Sequence, residues 1–327
     1  MIKYPSTPQF RNIIQDIRTR HDYVGKDDDG KPIYKHTTPY PILEFEGTVK
    51  LHGTNAAVVK YFDGNIEYQS RERILSLEYD NSNFMLTMSS KNLDGLFDKL
   101  TWTESCAIYG EWCGRGIQKG VAINELEKMF VIFAVKVDGI FTELPPDLHD
   151  NEQGIWNIKQ FKTYNILVDF NNPQLSQNKI IELTNEVEKE CPVGKHFGVS
   201  GVGEGIVFRC KHYPDIIFKS KGEKHSSSKV KTLSAIDVDR LNTINEFVTY
   251  AVTENRLEQG IQYLKENLHE ISVKSTGLFV KWVVNDVLKE EMDTLTENGL
   301  VPKDVGSPIN KVAKVWFHQY LDKLVIG

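Results

Sequence analysis

Lys50 and His52 stand two residues apart and are followed at once by Gly53-Thr54-Asn55, inside the otherwise apolar stretch TVKLHGTNAAVV (48–59). Alternation along a strand places Thr48, Lys50 and His52 on one face and Val49 and Leu51 on the other. A lysine at a strand end, beside a tight turn rich in backbone N–H groups, suits a phosphate. In a partly desolvated, cationic pocket the same amine can lose its proton and act as a nucleophile. A lone strand lysine is more often a solvated surface residue, so Lys50 gains meaning only from what else the chain supplies.

Two further stretches supply it. In IYGEWCGRGIQKG (108–120), Glu111 ends an apolar run and opens a glycine-rich loop, where a carboxylate can bind a ribose hydroxyl or help place a divalent ion. The loop is not a G-x-x-x-x-G-K-[ST] phosphate loop, because the spacing fails. In GEGIVFRC…IIFKSKGEK (203–224), Glu204 opens one strand, and Lys219 and Lys221 lie on one face of its partner. An odd register sum between the two strands would point all three to the same side. One carboxylate and two cations there suit a metal–triphosphate complex.

The elements that must position these groups are mostly strands. A short helix is expected over 7–19, and ILEFEGTV reads as a strand after the polar turn 25–32. AAVVKYF and NIEYQSR flank Asp63-Gly64, a hairpin signal. CAIYGEW (106–112) and MFVIFAVKV (129–137) are strand-type runs, the second leading through Asp138-Gly139 into IFTEL. Residues 176–190 read as helix, and GIVFRC and IIFKSK form a third hairpin about 212–215. From Ser234 the pattern turns helical: Asp237 is a candidate N-cap, followed by Val238, Leu241, Ile244, Phe247 and Ala251. Leu257, Ile261 and Leu264 mark a second helix, and 275–290 and 308–325 are two more. The expected division is a mostly β domain with helices over 1–233 and an all-helical domain over 234–327.

Composition narrows the function classes. The chain has 327 residues, 40% hydrophobic and 26% charged, with a net charge of −6. That charge argues against a binder working by overall attraction to nucleic acid. The segment 205–232, with seven Lys/Arg against two acids, is nevertheless basic, whereas 182–190 carries four acids and one lysine and reads as a solvated helix face. Cys106, Cys113, Cys191 and Cys210 show no metal-like spacing and read as reduced, packed thiols. No apolar run reaches the length of a membrane helix, and MIKYPSTPQF has no signal-peptide core, so a cytoplasmic protein is expected.

Taken in order, K-x-H-G-T-N, S-R, Y-G-E-W, the strand containing Phe133, E-G-I-V-F-R and F-K-S-K resemble the motif series of the covalent nucleotidyltransferases. Within that superfamily the chain most resembles the RNA ligase 2 family, nick-sealing ATP-dependent RNA ligases of bacteriophages and their relatives. Lys3-Tyr4-Pro5-Ser6, the histidine of KLHGTN and GIQK (116–119) carry that narrower likeness, which covers about residues 1–230. The resemblance implies an α+β fold: a nucleotidyltransferase (ATP-grasp-like ligase) domain of antiparallel sheets with flanking helices, plus a small all-α C-terminal domain.

It also implies roles. Lys50 would take AMP from ATP as a lysyl-Nζ–AMP intermediate, with Lys219 and Lys221 at the α-phosphate and Glu204 organising metal and lysine. Glu111 would hold the ribose and, with Glu204, a Mg²⁺ or Mn²⁺ ion. Phe133 and Val207 would enclose the adenine. Val49, His52, Asn55 and Arg71 would complete the cofactor site, Arg71 contacting the nucleotide or the phosphate of the RNA 5′ end, and Tyr4, Gln118 and Arg209 would contact RNA. AMP would pass to an RNA 5′-phosphate, and a 3′-hydroxyl would then displace it. Lys50 must be neutral to attack, and the neighbouring cations and metal favour that form. The implied partner is RNA, as a nicked duplex or broken ends, bound by a monomer in the cytoplasm (the host's, for a phage-encoded chain).

The chain departs from the family pattern at Val49, Ser70 and Ala134, where an acid, a base and an aspartate are common. The rivals are a GTP-using capping enzyme or a DNA ligase, and a catalytically inactive RNA-binding homologue. The helical character of the last 94 residues argues against the first two, which usually carry a β-barrel there.

Overall fold

A computed structural model describes residues 1–226 and 244–326. Contacts divide the chain into two compact units, Met1–Gly222 and Glu223–Gly327. The expected boundary at 233/234, the tail of the basic segment at 227–231, and the helix start at Asp237, Val238 and Leu241 lie outside the described residues.

The first unit opens with helix α1 (Phe10–Asp22) and a small hairpin, β1 (Tyr23–Lys26) and β2 (Pro32–Tyr34). Strands β3 (Ile42–Lys50), β4 (Thr54–Tyr61) and β5 (Ile66–Ser70) follow, then short helices α2 (Phe84–Ser89) and α3 (Asp94–Phe97). Next come β6 (Ser105–Cys113), β7 (Met129–Val137), β8 (Ile140–Thr142), β9 (Ile155–Asn157) and β10 (Thr163–Asp169). Helices α4 (Pro173–Lys189) and α5 (Pro192–His196) lead to β11 (Gly205–Cys210) and β12 (Ile217–Lys221).

Two sheets organise these strands. The first runs β10-β3-β11-β12, all antiparallel. The second runs β5-β4-β6-β7-β8, with β9 added parallel to β7. The back of the first sheet is apolar: Phe45, Val49, Ile206, Phe208 and Phe218 are buried, and Phe218 meets Phe10 of α1 at 4.9 Å between ring centroids. Helix α4 covers the same sheet through Ile180, Leu183 and Val187. On the second sheet Phe84, Trp112 and Phe130 pack together. The Asp138-Gly139 turn has positive φ at both residues (47° and 83°), as the hairpin signal requires.

The second unit is helical: α6 (Ile244–Ala251), α7 (Glu254–Glu266), α8 (Thr276–Glu290), α9 (Met292–Glu297) and α10 (Pro302–Ile326). Its core joins Phe247, Leu257, Ile261, Phe279, Val283, Ile309 and Phe317. A fully buried Arg256 is satisfied by Asp286 (2.8 Å) and Glu291 (3.0 Å), and Tyr250 donates to the same Glu291 (2.8 Å). Sequence pattern starts the last helix at 308; it begins six residues earlier and runs through Pro308, because Val305 and Ile309 are both fully buried in the same stripe. The β1–β2 hairpin and β10 were not expected, the hairpin because its strands are short and exposed. No described helix is long and apolar enough to cross a membrane.

Candidate active site

Lys50 ends β3, the strand flanked by β10 and β11. Its backbone partner is Gly205, which on its other side faces Lys221; one step back, Thr48 faces Val207, which faces Lys219. Directly opposed residues point to one side of a sheet, so Lys50, Lys219, Lys221 and Val207 share a face. The register is the even one, not the odd one on which the sequence argument depended. Strict alternation would therefore turn Glu204 away.

Gly205 resolves the conflict. Its φ is +154°, and a Cβ there would stand 2.0 Å from the Ser220 carbonyl oxygen. This glycine-only backbone breaks the alternation at the entry to β11 and brings Glu204 back to the lysine side. The Glu204 carboxylate, 2% exposed, accepts from Lys50 Nζ (2.8 Å) and Lys221 Nζ (3.0 Å), with His52 Nδ1 at 3.5 Å. Burial works against its ionisation, but Lys50, Lys221 and His52 outweigh that and hold it well below the usual carboxylate range.

The turn after Lys50 is clamped to β6. The Gly53 N–H donates to Glu111 Oε1 (3.0 Å), and Gln118 Nε2 donates to the Gly53 carbonyl (3.1 Å). A Cβ on Gly53 would lie 2.3 Å from the Trp112 carbonyl oxygen, so only glycine permits this approach. Asn55 opposes Glu111 across the β4–β6 ladder and shares its face. Gln118, expected near RNA, is placed on the turn beside the candidate nucleophile. Asn81, which sequence reasoning missed, holds the same turn by donating to Thr54 Oγ1 (2.9 Å, buried); its polar loop carries no motif that could have flagged it.

An aromatic wall stands on the same face of the second sheet. Opposite Tyr109 and Gly110 the β6–β7 register jumps from Ala134 to Ile132, leaving Phe133 as the bulged residue. Phe133 packs with Ala57, Val59 and Tyr109, and with Tyr4 at 5.1 Å between ring centroids. Tyr4 also meets Tyr109 (5.2 Å) and Phe141 (5.7 Å), and its hydroxyl accepts from Arg209 Nη2 (2.9 Å). Arg209 also donates to the Pro214 carbonyl, and its guanidinium lies over Phe141 at 5.9 Å. Tyr4 and Arg209, expected to face RNA, thus join one sheet to the other, and Tyr109 and Phe141 are wall residues the motifs did not flag.

One expectation changes. Val49 is 3% exposed, pairs with Ile206 and faces the apolar back of its sheet, so its side chain does not line the site. Arg71 lies exposed in the bend after β5; its neighbour Arg73 is the anchored one, donating to the carbonyls of Tyr79 and Asp80 (3.0 Å to the latter). Glu111 and Glu204 are not part of a three-ligand metal group; among the described residues that pattern occurs at His21, Asp22 and His36 alone. All four cysteines are free and buried.

Antiparallel sheets carrying a strand-end lysine, a lysine pair on the neighbouring hairpin and a buried glutamate between them are the fold of a ligase nucleotidyltransferase domain. Residues 43–231, more than half of the chain, match the family model described as RNA ligase, and the chain belongs to the RNA ligase family. Similar solved structures include Naegleria gruberi RNA ligase with PPi, at 19% identity and a TM-score of 0.45 over 68% of this chain and 56% of that one. Two mutants of that ligase, one with ATP and Mn and one with AMP and Mn, match at 17% identity and a TM-score of 0.45, over 68% of this chain and 57% and 56% of theirs. The chain therefore spans somewhat over half the length of these proteins. No curated protein matches it.

Proposed function

We propose that the chain is an ATP-dependent RNA ligase that joins 3′-hydroxyl and 5′-phosphate ends, at nicks in duplex RNA, through a lysyl-AMP on Lys50. The observation that carries this reading is the convergence of Lys50, Lys221 and His52 on the buried Glu204. Lys50 Nζ attacks the α-phosphorus of ATP and pyrophosphate leaves. AMP then moves to the RNA 5′-phosphate, and the 3′-hydroxyl displaces it to form the phosphodiester. Such phosphoryl-type transfers depend on positioning and charge neutralisation, which a set of cations, carboxylates and a stacking ring can supply.

Lys50 now donates to Glu204, so its lone pair is free for attack only after that ion pair opens. Lys221 stays with Glu204 while Lys219, on the same face, meets the α-phosphate. Phe133 and Val207 enclose the adenine, Glu111 and Asn55 hold the ribose and phosphate end, and Arg71, from its exposed bend, reaches the RNA 5′-phosphate. The donor set fits a divalent ion of the hard class: Glu111 and Glu204 offer oxygen, as Mg²⁺ or Mn²⁺ prefers beside substrate phosphates. Bound there, the ion would neutralise the triphosphate's charge. RNA would bind as a duplex with the basic segment 205–231 contributing, recognised by A-form shape rather than sequence. We assign the nucleotide chemistry to residues 1–233, the helical domain to 234–327, and a monomeric state to the whole.

The test is incubation with α-labelled ATP and Mg²⁺. Label should remain on denatured wild-type protein and be absent from Lys50→Ala, and sealing should follow on nicked RNA duplexes. Labelling by GTP instead would favour a capping activity, and no label with retained RNA binding an inactive homologue.

A further inference from the structure

A second group of chemistry-bearing side chains lies where α1 ends and the β1–β2 hairpin returns. His21 and Asp22 close the helix, and His36 follows β2. The Nδ1 atoms of His21 and His36 stand 3.1 and 3.0 Å from the same Asp22 oxygen, Oδ1. We propose that His21, Asp22 and His36 form a binding site for a Zn²⁺-class ion. The two Nδ1 atoms and one Asp22 carboxylate oxygen are its ligands, and water completes the shell.

The spacing fits. Zn²⁺ takes imidazole nitrogen and carboxylate oxygen at about 2.0–2.2 Å in a tetrahedron, whose edges are then about 3.3–3.6 Å. The two separations are within a few tenths of an ångström of such edges, and each of the three residues offers a ligand atom within 4.8 Å of the others. Small rotations of the imidazoles suffice to admit the ion.

The outer partners fit as well. A metal-bound histidine usually gives its other ring N–H to an oxygen, which fixes tautomer and ring plane. His21 Nε2 has Thr38 Oγ1 at 3.1 Å, and the second Asp22 oxygen accepts from the Tyr40 hydroxyl at 2.9 Å. The His36 ring packs on Tyr40 at 4.3 Å between centroids. The nearby cation, Arg18, is drawn aside: its guanidinium donates to the Phe170 carbonyl (2.9 and 3.1 Å) and lies over the Tyr40 ring.

Two imidazoles select a borderline transition metal over Mg²⁺, which takes oxygen ligands. The site is therefore chemically distinct from the one proposed for the ligase reaction. Its ligands come from both sides of the hairpin, so an ion there would tie the hairpin's base to the end of α1.

The experiment uses the full chain without a histidine tag, stripped by chelator and kept in excess Mg²⁺, and follows Co²⁺ uptake by visible absorption and its displacement by Zn²⁺. One Co²⁺ per chain, displaced by Zn²⁺, is expected. His36→Gln and His21→Gln should each weaken binding more than Thr38→Val, for which an outer-partner loss of about tenfold or more is expected. His36, whose side chain is 51% exposed, should be replaceable without loss of fold, and the buried cysteines do not compete. No saturable Co²⁺ uptake, or uptake unchanged in both histidine variants, would overturn the site.

Discussion

Replacing Glu204 by glutamine removes one negative charge from a place where two lysines depend on it. The carboxylate is 2% exposed, and its oxygens lie 2.8 and 3.0 Å from Lys50 and Lys221. Removing one member of a buried ion pair costs about 3–5 kcal/mol. Lys50 and Lys221 retain 22% and 15% side-chain exposure and can turn toward water, which places E204Q at the lower end, about 3 kcal/mol. At about 2–4 °C per kcal/mol for a unit of this size, the first unit should melt about 6–12 °C lower at pH 7. The pH dependence is the sharper test. The folded-state Glu204 is held well below its ordinary value of 4.5, so its stabilisation is present above that value and fades as pH falls through the folded one. Glutamine does not titrate, so the gap in melting temperature should narrow on acidification below about pH 4.5. A gap that stays constant from neutral pH to about pH 3, or no gap at pH 7, would refute the assignment of Glu204 as the charge that holds the cluster together.

Gly205→Ala should destabilise the first unit and abolish nucleotide transfer even if the variant is produced, because its Cβ would meet the Ser220 carbonyl at 2.0 Å; normal melting and activity would show that Glu204 is placed by other means. Tyr4→Phe removes the acceptor of the Arg209 bond and should lower stability by about 1–2 kcal/mol in denaturant melts. Asp138, held at about 2 by N–H groups of Ser105 and Glu104 and by Thr103, contributes stability above its ordinary value of 3.8 that is lost as pH falls toward about 2, so Asp138→Asn should be less stable at neutral pH and converge with wild type in acid. RNA affinity measured between about 50 and 200 mM salt should fall steeply if phosphates are the main contact; a flat response would contradict a role for the basic segment.

The placement of candidate residues was legible where side-chain period alone carries it. Lys219 and Lys221 fall on one face of β12 because alternation fixes faces, whereas Lys50 joins them through the β3–β11–β12 register, which no local pattern shows. Glu204 was placed on the lysine side by a wrong register, since its direction depends on the glycine-only backbone at Gly205. Val49 shows the same rule from the other side: alternation alone sends it to the core, against the role that resemblance assigned it. Phe133 reaches the aromatic wall through a bulge that leaves no mark in MFVIFAVKV, and Gln118 and Asn81 reach the Gly53-Thr54 turn across loops whose closure depends on packing, not local pattern. The β10 strand was missed because exposed Leu167 on its outer face hides the alternation, yet it supplies one flank of β3.

That flank has a kinetic meaning. The β3 backbone is hydrogen-bonded along both edges, to β10 over Ile42–Thr48 and to β11 over Phe45–Lys50, so its amides open to solvent only when the sheet itself opens. In hydrogen–deuterium exchange the segment leading to Lys50 should be among the last of the first unit to exchange, while the Lys3–Ser6 segment exchanges early. The Lys50 amine is then attached to main chain held along its β11 edge, and its excursions run through rotations about the four methylenes of one side chain.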